Sequence, residues 1–137
     1  MFEPLEGGCL CGAVRYRISA SPLDSGYCHC RMCQKSSGGP AQASAEIPVA
    51  GFTLIQGELK AYRSSATSVR HFCPHCGSQI TFRAAVDPAY ISVNTPTLDR
   101  PEALPPRIHI WCESRIGWFE TTDDLPRYHR DGPPAED

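Results

Sequence analysis

Seven of the eight cysteines in this chain fall in three tight clusters, and no other feature limits its fold so strongly. The clusters are Cys9-Leu10-Cys11, Cys28-His29-Cys30-Arg31-Met32-Cys33 and Cys73-Pro74-His75-Cys76. Spacing this short makes neighbouring thiols poor disulfide partners and good joint ligands for one metal ion. The compartment decides between these fates. Met1 to Ala20 carries Glu3, Glu6, Arg15 and Arg17 and no apolar run long enough for a signal-peptide core or a membrane span. The expectation is therefore a soluble, cytoplasmic protein whose thiols stay reduced. Eight cysteines in 137 residues also lie below the about 8–10% typical of short secreted disulfide scaffolds.

Each cluster has its own chemistry. Cys9-x-Cys11 is flanked by Gly7-Gly8 and Gly12, which let the backbone turn tightly enough to aim two sulfurs at one point. Cys73-x-x-Cys76 is followed by Gly77, where a positive φ is needed to complete the knuckle. One pair from each knuckle makes a tetrahedral four-thiolate zinc site of the closed, structural kind. A redox C-x-x-C of the thioredoxin type would instead open a helix in an α/β fold, and this one sits between strand-like segments. The middle cluster supplies three thiolates, Cys28, Cys30 and Cys33. Three protein ligands leave a position for water or substrate, the usual arrangement of catalytic zinc. Three thiolates also leave the divalent ion with a net negative charge, so it acidifies water poorly and suits an incoming thiol better. The competing reading is a second closed site with a fourth ligand from Cys112, His71, His75 or His109. His29 is read as a hydrogen-bond donor beside the site or as solvent-facing, Cys112 as a small buried apolar residue, and His109 and His129 as satisfied or exposed histidines.

The rest of the sequence supports a mainly β chain. Val14, Tyr16 and Ile18 alternate with Arg15 and Arg17, and Ile80/Phe82 and Ile91/Val93 behave alike. Gln42–Val49, Phe52–Gln56, Ser68–Phe72 and Arg107–Cys112 are further strand segments, with Asp87-Pro88 a turn. Helix is confined to Arg31–Ser36 and a turn at Thr122–Leu125. Prolines 96, 101, 105 and 106 predict an extended surface loop over Thr95–Pro106, and Arg130–Asp137 reads as a frayed tail. Residues 1–137 form one domain, with no repeat of fixed period. Thirteen Lys and Arg against fifteen Asp and Glu, interspersed, give a net charge of -2 and no footprint for nucleic acid or an anionic membrane.

The ordered segments GGCLCGAVRY, CHCRMCQKSSG, FCPHCGSQI and RIHIWCESRIGWFETTDDLP, from about Gly7 to Pro126, resemble the glutathione-dependent formaldehyde-activating enzyme family. The resemblance implies a small zinc-binding, β-tent-like fold of several short antiparallel sheets with very little helix. It implies one zinc on Cys9, Cys11, Cys73 and Cys76 and a second on Cys28, Cys30 and Cys33, and a three-ligand site, lacking the last bond and with thiolates open to oxidation, is the more labile of the two. The implied activity joins glutathione to formaldehyde to give S-hydroxymethylglutathione, a carbon–sulfur lyase reaction in the reverse sense. Its partners are a small-molecule thiol and an aldehyde. Arg31, Lys35 and Ser36–Ser37 are near enough in sequence to meet glutathione's carboxylates, or are simply solvated, and N–H groups opening the Arg31–Ser36 turn are oxyanion donors. A second reading also fits, because the family includes a centromere-associated animal protein: a non-catalytic zinc-stabilised interaction module. In that reading Trp111, Trp118, Phe119 and Tyr128 form a binding patch, although core packing is the commoner fate of such aromatics.

Overall fold

The structure, a computed structural model, describes residues 1–132 and is mainly β. Its strands are β1 Leu5–Gly8, β2 Arg15–Ile18, β3 Asp24–Cys28, β4 Gln42–Pro48, β5 Phe52–Gln56, β6 Lys60–Ser65, β7 Ser68–Phe72, β8 Gln79–Ala84, β9 Tyr90–Asn94 and β10 Ile108–Ile110. Its α-helix, α1, spans Arg31–Ser37. β1, β2 and β5 form a three-stranded antiparallel sheet. The other strands form a seven-stranded sheet in the order β10-β3-β4-β9-β8-β7-β6. All its pairings are antiparallel except one, because β10 returns from far along the chain to run parallel to β3, with Ile110 opposite Cys28.

Alternation works as expected on β2, where Tyr16 and Ile18 are fully buried while Arg17 is exposed. Those side chains meet Ala45 and Ile47 of β4, Ile80 of β8 and Ile91 and Val93 of β9 in one core that also takes in Cys73. Burial of this apolar surface is the main stabilising term for so short a set of strands.

Three expectations need correction. Thr95–Pro106 crosses the surface with most of its residues exposed, but it is not extended: it folds into 3-10 turns at Thr95–Thr97 and Pro101–Ala103 and sends Leu98 and Leu104 into the core. Pro101 opens its turn and Pro96 is second in the other, positions where a residue with no N–H and a fixed φ is well placed. Thr122–Leu125 forms no helical turn; Asp123 Oδ1 accepts the Leu125 N–H, and beyond it Pro126 and Tyr128 exchange backbone hydrogen bonds with His109 of β10. The strand at Arg107–Cys112 is cut to Ile108–Ile110 because Trp111 turns the chain with φ of 57°, a strained value for a bulky residue. Trp111 is held there by its indole N–H on Asp131 Oδ1 at 3.0 Å and its backbone N–H on the Arg130 carbonyl at 2.8 Å. The start of the tail is thus tied down, and Pro133–Asp137 lie outside the described residues. No helix among the described residues is long and apolar enough to cross a membrane.

Candidate active site

The first and third cysteine clusters meet as one group, with Cys9, Cys11, Cys73 and Cys76 sulfurs all within 4.8 Å of one another. Gly12 and Gly77 close the two knuckles with φ of 84° and 79°, a region open to glycine without strain. The knuckles are stitched together by Leu10, whose N–H donates to Ser78 Oγ at 3.0 Å. Backbone N–H groups of Val14 and His75 donate to the Cys9 and Cys73 sulfurs at 3.2 and 3.4 Å, as suits thiolates. The Ser78 hydroxyl and N–H hold the Cys76 thiol down to about 5. Cys9–Cys11 and Cys11–Cys73 sulfur separations are 3.6 and 3.8 Å. Sulfurs at about 2.3 Å from a tetrahedral zinc stand about 3.8 Å apart, so this donor set fits zinc.

The middle cluster sits where β3 ends and α1 begins. Cys30 caps the helix by accepting the Cys33 N–H on its sulfur at 3.3 Å, and Gly38 ends it in the left-handed region with φ of 77°. A helix of 7 residues is too short to stand alone, and it is pinned by Gln34. That buried amide donates to the carbonyls of His29 at 2.8 Å and Ser114 at 3.2 Å. Cys28, Cys30 and Cys33 consequently converge, and among the described residues no fourth donor joins them within 4.8 Å. Cys112, His71, His75 and His109, the fourth ligands considered from sequence, all lie outside the group. Hydrogen bonds from the Cys28 and Cys33 thiols hold Cys30 down to about 2, and sharing that charge pushes Cys28 up. Cys33 is pushed up as well, so without metal the charge is concentrated on Cys30, and three converging sulfurs suit a soft cation.

Behind the cluster is a buried imidazole pair. His29 is 1% and His109 0% exposed, so His29 is not solvent-facing. Nε2 of His29 meets Nδ1 of His109 at 2.8 Å, and Nε2 of His109 meets Asp123 Oδ1 at 3.0 Å. The carboxylate fixes the tautomers: His109 donates to Asp123, so its Nδ1 accepts the His29 N–H. His29 is thereby locked in orientation between two ligand cysteines. Burial pushes the His29 pKa down and favours its neutral form.

Other expected residues divide. Arg31 and Lys35 are exposed, and Arg31 donates to Gln34 Oε1 at 2.6 Å. The Cys33 and Gln34 N–H groups are spent on Cys30, which removes two of the oxyanion donors read from sequence. Ser36 and Ser37 line a cavity of about 450 Å³ with Gln42, Cys76, Ser78, Gln79, Asn94 and Thr97. Its polar side chains are neutral hydroxyls and amides and the Cys76 sulfur, with Ala41, Ala43 and Pro96 as apolar wall. Of the aromatic residues weighed as a binding patch against core packing, none is in the core: Trp118 is 77% exposed, and Trp111, Phe119 and Tyr128 are half-buried. His129 is exposed beside Glu113 at 2.9 Å. Gln34 and Arg70 were not legible as site residues; only Gln34's place one turn into the helix hinted at its role. Arg70, 4% exposed, donates to Cys33 Sγ at 3.7 Å from the far strand β7.

The chain is similar to known proteins over most of its length. The profile of the family described as glutathione-dependent formaldehyde-activating enzyme matches residues 4–114. A Halomonas elongata protein with the provisional name glutathione-dependent formaldehyde-activating enzyme is 31% identical over 127 residues, 85% of this chain and 80% of its own. A crystal structure of a Rhodobacter sphaeroides protein superposes with a TM-score of 0.59 at 24% identity, covering 69% of this chain and 88% of that one. The last likeness concerns the fold alone.

Proposed function

The chain belongs to the glutathione-dependent formaldehyde-activating enzyme family, and from that premise we propose that it joins a thiol such as glutathione to a small aldehyde such as formaldehyde. The observation that carries the reading is the convergence of three sulfurs, with no fourth protein donor in reach among the described residues. Cys9, Cys11, Cys73 and Cys76 would hold a closed structural zinc; Cys28, Cys30 and Cys33 would hold a second, more labile zinc with one position free. Zinc at the open site supplies Lewis-acid activation, lowering the pKa of a thiol and fixing its sulfur.

The chain's own groups do the rest. Cys30 joins ligand and helix cap, so the sulfurs are held by the start of α1 rather than by a loose loop. His29, locked by His109 and Asp123, keeps the peptide between Cys28 and Cys30 in one orientation. The cavity bordered by Ser36, Gln42 and Gln79 takes the remainder of the thiol, its neutral hydroxyls and amides suiting peptide groups. In the reaction a sulfur–carbon bond forms as the carbonyl π bond breaks, and the thiol proton ends on the new hydroxyl oxygen. Read backwards, that is a carbon–sulfur lyase step, one that needs the reduced thiols of a cytoplasmic setting.

The test is the rate of S-hydroxymethylglutathione formation above the spontaneous background, with zinc-replete protein and with Cys30→Ser. Acceleration by the parent and none by the variant supports the proposal, and equal rates sink it. A second reading, a zinc-stabilised interaction module, draws on the exposed Trp118; it is the one that equal rates would favour.

A further inference from the structure

Arg70 stands on β7, one strand in from the edge of the seven-stranded sheet, between Tyr62 of β6 and Phe82 of β8, and is 4% exposed. A guanidinium is charged at every accessible pH, and burying one calls for an anion and for hydrogen-bond acceptors. The usual anion is missing: among the described residues no carboxylate forms an ion pair with Arg70. What surrounds it is the face of Phe82, 4.8 Å from Cζ, the Gln42 amide oxygen, 3.2 Å from Nη1, and the Cys33 sulfur, 3.7 Å from Nη2. Its Nε has no partner. A ring face and a neutral amide do not neutralise a cation. The one group in contact that can carry negative charge is the cysteine cluster.

We infer that Arg70 is the charge-balancing residue of the Cys28, Cys30 and Cys33 centre, the internal cation that makes a three-thiolate metal site tenable inside the sheet. Three thiolates around a divalent ion sum to one negative charge, and Arg70 brings that sum to zero. With Arg70 in place the centre can accept a further thiolate without becoming a doubly charged, half-buried anion. The N–H···S bond also ties Cys33 of α1 to β7. Arg70 also lies three residues before Cys73, on the strand that delivers the first site's knuckle. Gln42, the other acceptor, also lines the cavity beside α1, so one guanidinium is shared by cavity wall and metal ligand.

The inference rests on the reading of the three cysteines as a metal site. The test titrates apo-protein with Co²⁺, comparing the parent with Arg70→Gln and Arg70→Lys and following the thiolate-to-cobalt charge-transfer bands. The first equivalent fills the four-thiolate site and reports the fold; the second fills the three-thiolate site. Arg70→Gln should take the first cobalt as the parent does and bind the second about 10–100-fold more weakly. Its second-site band should move to lower energy, because a sulfur that has lost a charged donor gives up its electrons more readily. Arg70→Lys should recover most of the affinity. A second cobalt bound equally well by Arg70→Gln overturns the inference, whereas a parent that takes only one cobalt overturns the underlying metal-site reading. If Arg70→Gln fails to load even the first cobalt, Arg70→Lys decides: keeping the second supports charge balance, and losing it while keeping the first contradicts it.

Discussion

His29 and His109, 80 residues apart, meet nitrogen to nitrogen at 2.8 Å in a place sealed from solvent. The contact exists because β10 lies parallel to β3, with His109 opposite Tyr27. Replacing His109 by Leu keeps the volume and removes both hydrogen bonds, leaving the His29 N–H buried without an acceptor. Denaturant unfolding should show a loss of about 1–3 kcal/mol, the cost of an unsatisfied buried donor. An unchanged midpoint would mean that the pair contributes nothing to stability.

Glu46 is the second titrating feature. It faces Asp24 directly across the β3–β4 pair, and burial together with Asp87 and Asp24 pushes its carboxyl up to about 7. The folded chain thus binds this proton more tightly than the unfolded chain, whose carboxyl titrates near the ordinary value of 4.5. The resulting stabilisation is present below pH 4.5 and is lost as pH rises through about 7. Glu46→Gln should therefore be more stable than the parent at pH 8, by about 1 kcal/mol once partial solvent screening is allowed for, and nearly equal to it at pH 4. Melting curves at the two pH values check this; the opposite pattern would refute it.

Two cysteine substitutions should fail differently. Cys76→Ser removes a ligand from the group that ties the chain's start to β7 and β8, and structural zinc binding is folding free energy, so the variant should be insoluble or severely destabilised. Cys30→Ser leaves that group and the core intact. It should fold and bind about one zinc where the parent binds about two. Metal analysis and thermal unfolding of both variants decide the matter. Equal damage would make the middle cluster structural.

What was legible in the sequence was local. The clusters announced both sulfur groups by spacing, and Phe52–Gln56 and Ser68–Phe72 form strands over the expected residues. β1 was hidden because Gly7-Gly8 reads as a turn. It is a strand in which a Cβ at Gly7 would meet the Tyr16 hydroxyl at 2.5 Å and the Thr97 carbonyl at 2.6 Å. Leu98 and Leu104 were hidden by the prolines around them. The parallel return of β10, the His29–His109 pair and the approach of Arg70 to Cys33 all join residues far apart in the chain, and no periodicity encodes them.

Removing metal should separate the two sulfur groups. A closed four-thiolate site has no open position for a competing chelator, whereas the three-thiolate one does. A graded chelator titration should release about one zinc per chain with the fold retained and the second only on unfolding. Simultaneous release, or unfolding at the first zinc, would show that the two sites do not differ in the way proposed.

The central claim, that Cys28, Cys30 and Cys33 hold a metal with a position open to a thiol, is tested most directly by ¹¹³Cd nuclear magnetic resonance of the cadmium-loaded chain. Cadmium reports its sulfur count through its chemical shift and gives each site its own line. The account predicts two resonances, of which glutathione moves only the one with fewer sulfur ligands, toward the position of the four-sulfur site. A single resonance, or two that both stay in place when glutathione is added, would contradict it.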